Sequence, residues 1–200
     1  MIHLPFAVSV SNGMGMVSLH YKLSNSTNIN NAENSMEIIY DSLHLSDMGL
    51  SEPAFDFAIK GYTLLKQQGK LHNLKVLSII DFTKPSYQKR LFILDLEDFK
   101  LLFNTYVAHG QNTGREFASK FSNKPESYQS SLGFYITQNT YSGKNGFSLQ
   151  LDGMENGIND RADERAIVMH GAPYVSEGFI RSKGYIGRSH GCPAVPEKMN

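Results

Sequence analysis

The chain has 200 residues, 40% of them hydrophobic, with 19 basic and 19 acidic side chains and a formal charge of +0. That length fits one domain with a sizeable core, and the balanced charge gives no reason to expect nucleic acid or an anionic membrane surface as partner. The single cysteine excludes an internal disulfide. No apolar run approaches the roughly 20 residues needed to cross a bilayer, so no integral membrane segment is expected.

Residues 4–10 form a short apolar run, but the first basic side chain is Lys22. A secretory signal starts with positive charge, and that feature is missing here. Residues 24–34 are rich in Ser and Asn and read as a polar linker. Residues 1–34 are therefore taken as an N-terminal segment and linker, and residues 35–70 as a short helical lobe. Ser35 is placed to cap a helix carrying Met36, Ile39, Tyr40 and Leu43 on one face. A second helix is better marked, with Ser51 as N-cap, Glu52 and Pro53 in the first turn, and Gly69 at its stop. Its stripe of Phe55, Ile59 and Tyr62, with Ala58 and Leu65 beside it, is a packing face.

Beyond Leu74 the pattern shifts to strands. Residues 75–82 are short and apolar, and residues 90–96 and 99–109 flank an acidic turn at Glu97-Asp98 as a hairpin. Residues 131–138 begin another strand. Asn145-Gly146 marks a turn before the alternating residues 147–151, and residues 165–170 form a last strand that ends on His170. Short strands punctuated by Gly and Asn predict a mainly β fold with flanking helices, its sheet or sandwich mostly antiparallel.

The chemistry-bearing stretch is Arg188-Ser189-His190-Gly191-Cys192-Pro193, read together with His170-Gly171. A cysteine attacks as its thiolate, and with an ordinary pKa of about 8.5 only a few per cent is ionised at pH 7. A neighbouring imidazole can accept the proton, and a cation or helix N-terminus can stabilise the anion. His170, ending an apolar strand, is the candidate base. The amides around Gly191 and Cys192 are candidates for an oxyanion hole. Pro193 biases Cys192 toward extended backbone and suits the first turn of a following helix, which would bring a positive dipole end to the sulfur.

A lone cysteine is ordinarily a small buried hydrophobe, and His170 or His190 alone would be an unremarkable loop or core histidine. Against that, Ser-His-Gly-Cys makes a poor core segment. His170, His190, Cys192 and His109 also form a conceivable zinc set. His-x-Cys is not a usual chelating pair and there is no second cysteine, so no metal is expected.

These residues resemble the L,D-transpeptidase (YkuD-like) catalytic domain. That family carries a His-Gly step followed, after a loop, by Ser/Thr-His-Gly-Cys, present here as His170-Gly171 and Ser189-His190-Gly191-Cys192. Pro193-Ala194 after the cysteine replaces the usual aliphatic residue and Asn or Arg, which points to a divergent branch of murein L,D-transpeptidase catalytic-domain proteins. Further blocks resemble that branch: residues 104–110, 121–123, 130–135 and 146–149. The resemblance implies an L,D-transpeptidase-like β-sandwich over residues 71–200, short of the family's C-terminal closing strand. It implies acyl transfer on peptidoglycan stem peptides through a Cys192 thioester, with His170 as base and then acid and the Gly171 carbonyl orienting its ring. Ser189, His190, Gly191 and Arg188 would shape the oxyanion and substrate loop. Gly133, Tyr135 and His109 are substrate-groove candidates. No cofactor is implied, and the setting is the cell envelope or periplasm. The competing expectations are another thiol amidase or peptidase using the same dyad, and a wall-binding module without catalysis.

Overall fold

The computed structural model describes residues 5–9 and 38–199. The 24–34 linker, Lys22, and the Ser35 cap with Met36 lie outside the described residues. Residues 38–42 are helical, and Ile39 is buried.

Among the described residues, eight strands form one hydrogen-bonded sheet: β1 (Pro5–Ser9), β2 (Val76–Asp81), β3 (Leu91–Asp95), β4 (Lys100–Thr105), β5 (Gly133–Gly143), β6 (Gly146–Gly153), β7 (Val168–Gly171) and β8 (Ala194–Val195). The order across the sheet is β4-β3-β2-β1-β5-β6-β7-β8. Five of the neighbouring pairs are antiparallel, while β1–β2 and β7–β8 are parallel. The apolar run near the N-terminus thus supplies a central strand, with β1 pairing Phe6 to Ser78 on one side and to Tyr135 on the other. Among the described residues, the helix α1 (Glu52–Gln67) packs against the sheet and the helix α2 (Glu177–Lys183) follows β7.

Strand periodicity divides the core. Alternate side chains of a strand point to opposite faces. Leu77 and Ile79 of β2, Phe92 and Leu94 of β3, and Phe134 and Ile136 of β5 face the helix layer, where they meet Ala54, Phe55, Ala58 and Tyr62 of α1. Gly61 permits the close approach, because a Cβ there would lie 2.0 Å from the Phe134 ring. Phe57 stacks on the same ring, with centroids 5.0 Å apart. The intervening residues Ile80, Leu91 and Tyr135 face the other way and share a second core with Leu151, Ile167 and Val195.

That second core joins residues from both ends of the sheet, so the sheet folds over on itself as a β-sandwich. Backbone bonds seal the fold. The chain leaving β4 runs alongside the segment that leads into β8: Ala108 N–H donates to Ala194 O (2.8 Å), Ser189 N–H to His109 O (3.0 Å) and Gln111 N–H to Ser189 O (2.8 Å). Gly110 and Ser189 form a parallel bridge. The C-terminal edge is closed by a strand of only two residues, with residues 106–110 continuing the pairing.

Local readings held to different degrees. Pro53 sits in the first turn of α1 and Gly69 follows its end at φ 66, as their chemistry demands. Ser51 stands at the N-cap position, but its side chain makes no cap bond; its N–H donates instead to Asp81 Oδ2 (3.0 Å) at the end of β2. The β3–β4 turn is built by Asp95, whose carboxylate accepts from Glu97 N–H (3.0 Å) and Asp98 N–H (2.9 Å). β4 ends at Thr105, short of His109. The helix expected to begin at Pro193 is absent. Ala194 and Val195 form β8, because their backbone bonds to Ala108 and Ala172 and their burial against β7 outweigh the local helix preference of proline. Cys192 therefore receives no helix dipole.

Candidate active site

β7 delivers His170 to the rim of a cleft of about 640 Å³. The register of β7 against β6 pairs His170 with Ser148, and against β8 it pairs His170 with Ala194, two residues beyond Cys192. His170, Gly171, Arg188, Ser189, His190 and Cys192 all line this cleft. Sequence-distant motifs converge because β7 and β8 lie side by side in parallel.

His170 is buried, with Nδ1 2.8 Å from the Gly171 carbonyl. A carbonyl only accepts, so this contact assigns the ring proton to Nδ1 and leaves the Nε2 lone pair available. Cys192 is partly exposed, and its thiol donates to the Ala166 carbonyl at 3.7 Å. Burial pushes the thiol above its ordinary value. The Val168 amide and the Arg165 charge pull the other way, with less effect. In this arrangement burial favours the protonated thiol, and the sulfur is turned to the Ala166 carbonyl.

The loop before the nucleophile is braced from within. Ser189 Oγ donates to Cys192 O (2.6 Å) and accepts from Gly191 N–H (3.0 Å). The Gly191 amide is therefore engaged inside the loop. Gly191 itself adopts φ 127, a conformation L side chains rarely take. Its carbonyl accepts from Ser130 Oγ (3.1 Å), which in turn accepts from Gly110 N–H (3.0 Å). His190 is exposed and packs against the Tyr128 ring at 4.6 Å. Arg188 donates to the Gln111 and Gly114 carbonyls (3.3 and 3.2 Å) and lies over the Tyr185 ring.

The three groove candidates sit elsewhere. His109 is fully buried: Arg90 Nη2 lies 2.8 Å from its Nδ1, and its Nε2 lies 3.1 Å from Gly114 O. A guanidinium only donates, so His109 is neutral with its proton on Nε2. Burial and the Arg90 charge push its pKa down to about 3. Tyr135 is buried in the second core, its hydroxyl donates to Ser131 O (3.1 Å), and burial pushes it up to about 12. It borders a small internal cavity behind Gly191 and Pro193 instead of the cleft. Gly133 packs where a Cβ would meet the Glu155 carboxylate and the Asn159 amide. Long-range packing buries all three.

The cleft has walls the sequence did not reveal. The tip of the β5–β6 hairpin contributes Lys144, Asn145 and Gly146, and the segment after β7 contributes Pro173 and Tyr174. Burial, with a smaller effect from the neighbouring Cys192, raises the Tyr174 hydroxyl to about 12, so it is a neutral donor. The Asn-Gly pair signalled a turn but not that the turn overhangs a cleft. Among the described residues there is no group of three or more His, Cys, Asp or Glu arranged to hold a metal ion, and no helix is long and apolar enough to cross a membrane.

The model of the L,D-transpeptidase catalytic domain matches residues 46–200. No curated protein and no solved structure matches the chain. The matched span takes in α1, seven of the eight strands and every residue of the cleft, which makes this chain a member of the L,D-transpeptidase (YkuD-like) catalytic-domain family.

Proposed function

We propose that the chain is a cysteine acyltransferase acting on peptidoglycan stem peptides at the cell envelope. The observation that carries this reading is the shared cleft: His170, with its Nε2 free, and Cys192 open onto one concavity roomy enough for a peptide. In the first step the Cys192 thiol turns from Ala166 toward His170, and Nε2 takes its proton. The thiolate attacks the carbonyl of the third stem residue, the C–N bond to the terminal D-Ala breaks, and the imidazolium returns the proton to the departing amine. A thioester remains. An amine from a neighbouring stem then attacks it, His170 again accepting a proton, to give a 3–3 cross-link. Water in place of that amine gives L,D-carboxypeptidase activity.

Roles follow for the neighbours. The Gly171 carbonyl holds the imidazole in its reactive tautomer. With the Gly191 amide engaged by Ser189, the Cys192 N–H and the Tyr174 hydroxyl are the donors left for the oxyanion. Arg188 presents its charge to a substrate carboxylate. No metal or organic cofactor enters this chemistry.

Product analysis on disaccharide-tetrapeptide muropeptides tests the reading. A mass-resolved dimer lacking one D-Ala, or a tripeptide from hydrolysis, is the expected product. Cleavage at other amide bonds only would instead identify a different thiol amidase, and unchanged substrate would leave a wall-binding module.

A further inference from the structure

We propose that Arg165 is a positioning residue for the nucleophile: it pins the 122–131 loop beneath Gly191 and holds an unneutralised positive charge beside the Cys192 sulfur. The inference rests on Cys192 being the nucleophile. It adds a residue from outside both sequence motifs.

The guanidinium is half-buried at the foot of the strand that carries His170. Every partner of its fork is a neutral oxygen. Nη1 donates to Ser122 O (2.8 Å) and to Ser131 Oγ; Nη2 donates to Gln129 O and, more loosely, to Ser127 Oγ (3.4 Å). One side chain thus ties together four points of a loop that has little regular structure of its own. That loop is the floor of the nucleophile segment. A Cβ on Gly191 would stand 2.8 Å from Gln129 O, 3.2 Å from Arg165 Nη2 and 3.2 Å from Ile167 Cδ1. Gly191 therefore rests directly on the Arg165 fork and on the carbonyl that the fork holds.

Four neutral oxygens satisfy the hydrogen bonds of the guanidinium without cancelling its charge. Among the described residues no carboxylate forms an ion pair with it, and the anionic forms that act on it are those of Tyr135 and Cys192. Tyr135 stays neutral to about pH 12, which leaves the Cys192 thiolate, once formed, as the anion acting on Arg165 at lower pH. The influence is mutual, since the Arg165 charge favours the thiolate against burial. The chain geometry between the two fits this pairing. Ala166, next to Arg165, takes φ 50, and its carbonyl receives the thiol. The other titratable or charged groups lining the cleft with Cys192 are Lys144, His170, Tyr174, Arg188, His190 and Glu197.

Iodoacetamide alkylation reads the thiolate directly, because Cys192 is the only cysteine. Its rate is followed against pH for the wild type, Arg165→Gln, Arg165→Lys and Ser131→Asp. Arg165→Gln is expected to slow alkylation at pH 8 by roughly tenfold and to move the profile to higher pH, since each pKa unit is a factor of ten in thiolate. Arg165→Lys keeps the charge but not the four-point fork, and is expected to fall between wild type and Arg165→Gln on the same scale. Ser131→Asp keeps the guanidinium but sets a carboxylate against Nη1, and is expected to slow the reaction as Arg165→Gln does. Superimposable profiles for wild type and Arg165→Gln would overturn the proposal, as would Arg165→Lys falling to the Arg165→Gln rate. If Arg165→Gln does not fold, a Ser131→Asp profile identical to wild type overturns it alone. A charge-dependent profile in a protein that leaves muropeptides untouched would instead defeat the acyltransferase reading while leaving the Arg165–Cys192 coupling in place.

Discussion

Replacing His170 with Gln is expected to slow acylation of Cys192 by a β-lactam of the carbapenem class by about 10²- to 10⁴-fold, the range that a positioned general base supplies. Gln keeps a side chain of similar reach and an amide that can still meet the Gly171 carbonyl, so the fold and the cleft are retained. It lacks a basic nitrogen in the place of Nε2. The demand on that nitrogen is high here, because burial holds the resting thiol above its ordinary value and there is no helix dipole to offset this. Stopped-flow absorbance at the β-lactam chromophore gives the rate, and a thermal melt confirms an unchanged fold. An acylation rate equal to wild type would remove His170 from the mechanism.

Lowering the pH is expected to loosen the nucleophile loop through a residue outside the cleft. His109 is neutral, with Arg90 Nη2 donating to one ring nitrogen and Gly114 O accepting from the other. Protonation would set a second buried cation against Arg90 and leave two facing donors. Unfolded, the same histidine takes a proton near pH 6.5. Folded, its pKa lies near 3. Between these values the unfolded chain binds the extra proton, so stability is full above the unfolded pKa and is lost as pH falls through the window. The slope reaches about 1.4 kcal/mol per pH unit.

From pH 7.5 to 4.5 this histidine is expected to cost about 2–3 kcal/mol of stability, a large share of a domain's total. Urea unfolding of wild type and His109→Gln at both pH values isolates it from the carboxylates, which titrate in both proteins. A shallower pH dependence in the variant is expected. Parallel curves would show that His109 accepts a proton in the folded state. The functional link is direct. The His109 carbonyl accepts from Ser189 N–H, and the next amide, Gly110 N–H, donates to the Ser130 hydroxyl that holds the Gly191 carbonyl.

What the sequence revealed was local. Short apolar runs marked β2 and β3 within a residue or two of their ends, because both faces of these strands are buried and each demands apolar side chains. Cys192 and His170 were legible because their chemistry sits in short runs of unusual composition. What the sequence did not reveal was of long range. His109 and Tyr135 had the look of groove residues until Arg90, 19 residues from His109, and the second core claimed them. Gly133, a substrate-groove candidate, packs where a Cβ would meet Glu155 and Asn159. Pro193 suggested a helix, but pairing with β7 decided otherwise. The apolar run at residues 4–10 carried no hint that its partner would be β2, since parallel pairing leaves no turn signal between the strands. Arg165 was invisible for the same reason: its ligands Ser122, Ser127, Gln129 and Ser131 lie at least 34 residues away in the chain.

The central claim is that Cys192 is the nucleophile of an acyl transfer. Intact-mass spectrometry after incubation with a carbapenem, followed by peptide mapping, tests it most directly. One adduct per chain, mapped to Cys192 and absent from Cys192→Ala, is the predicted result. No adduct on a folded wild-type chain, or an equal adduct on Cys192→Ala, would contradict it.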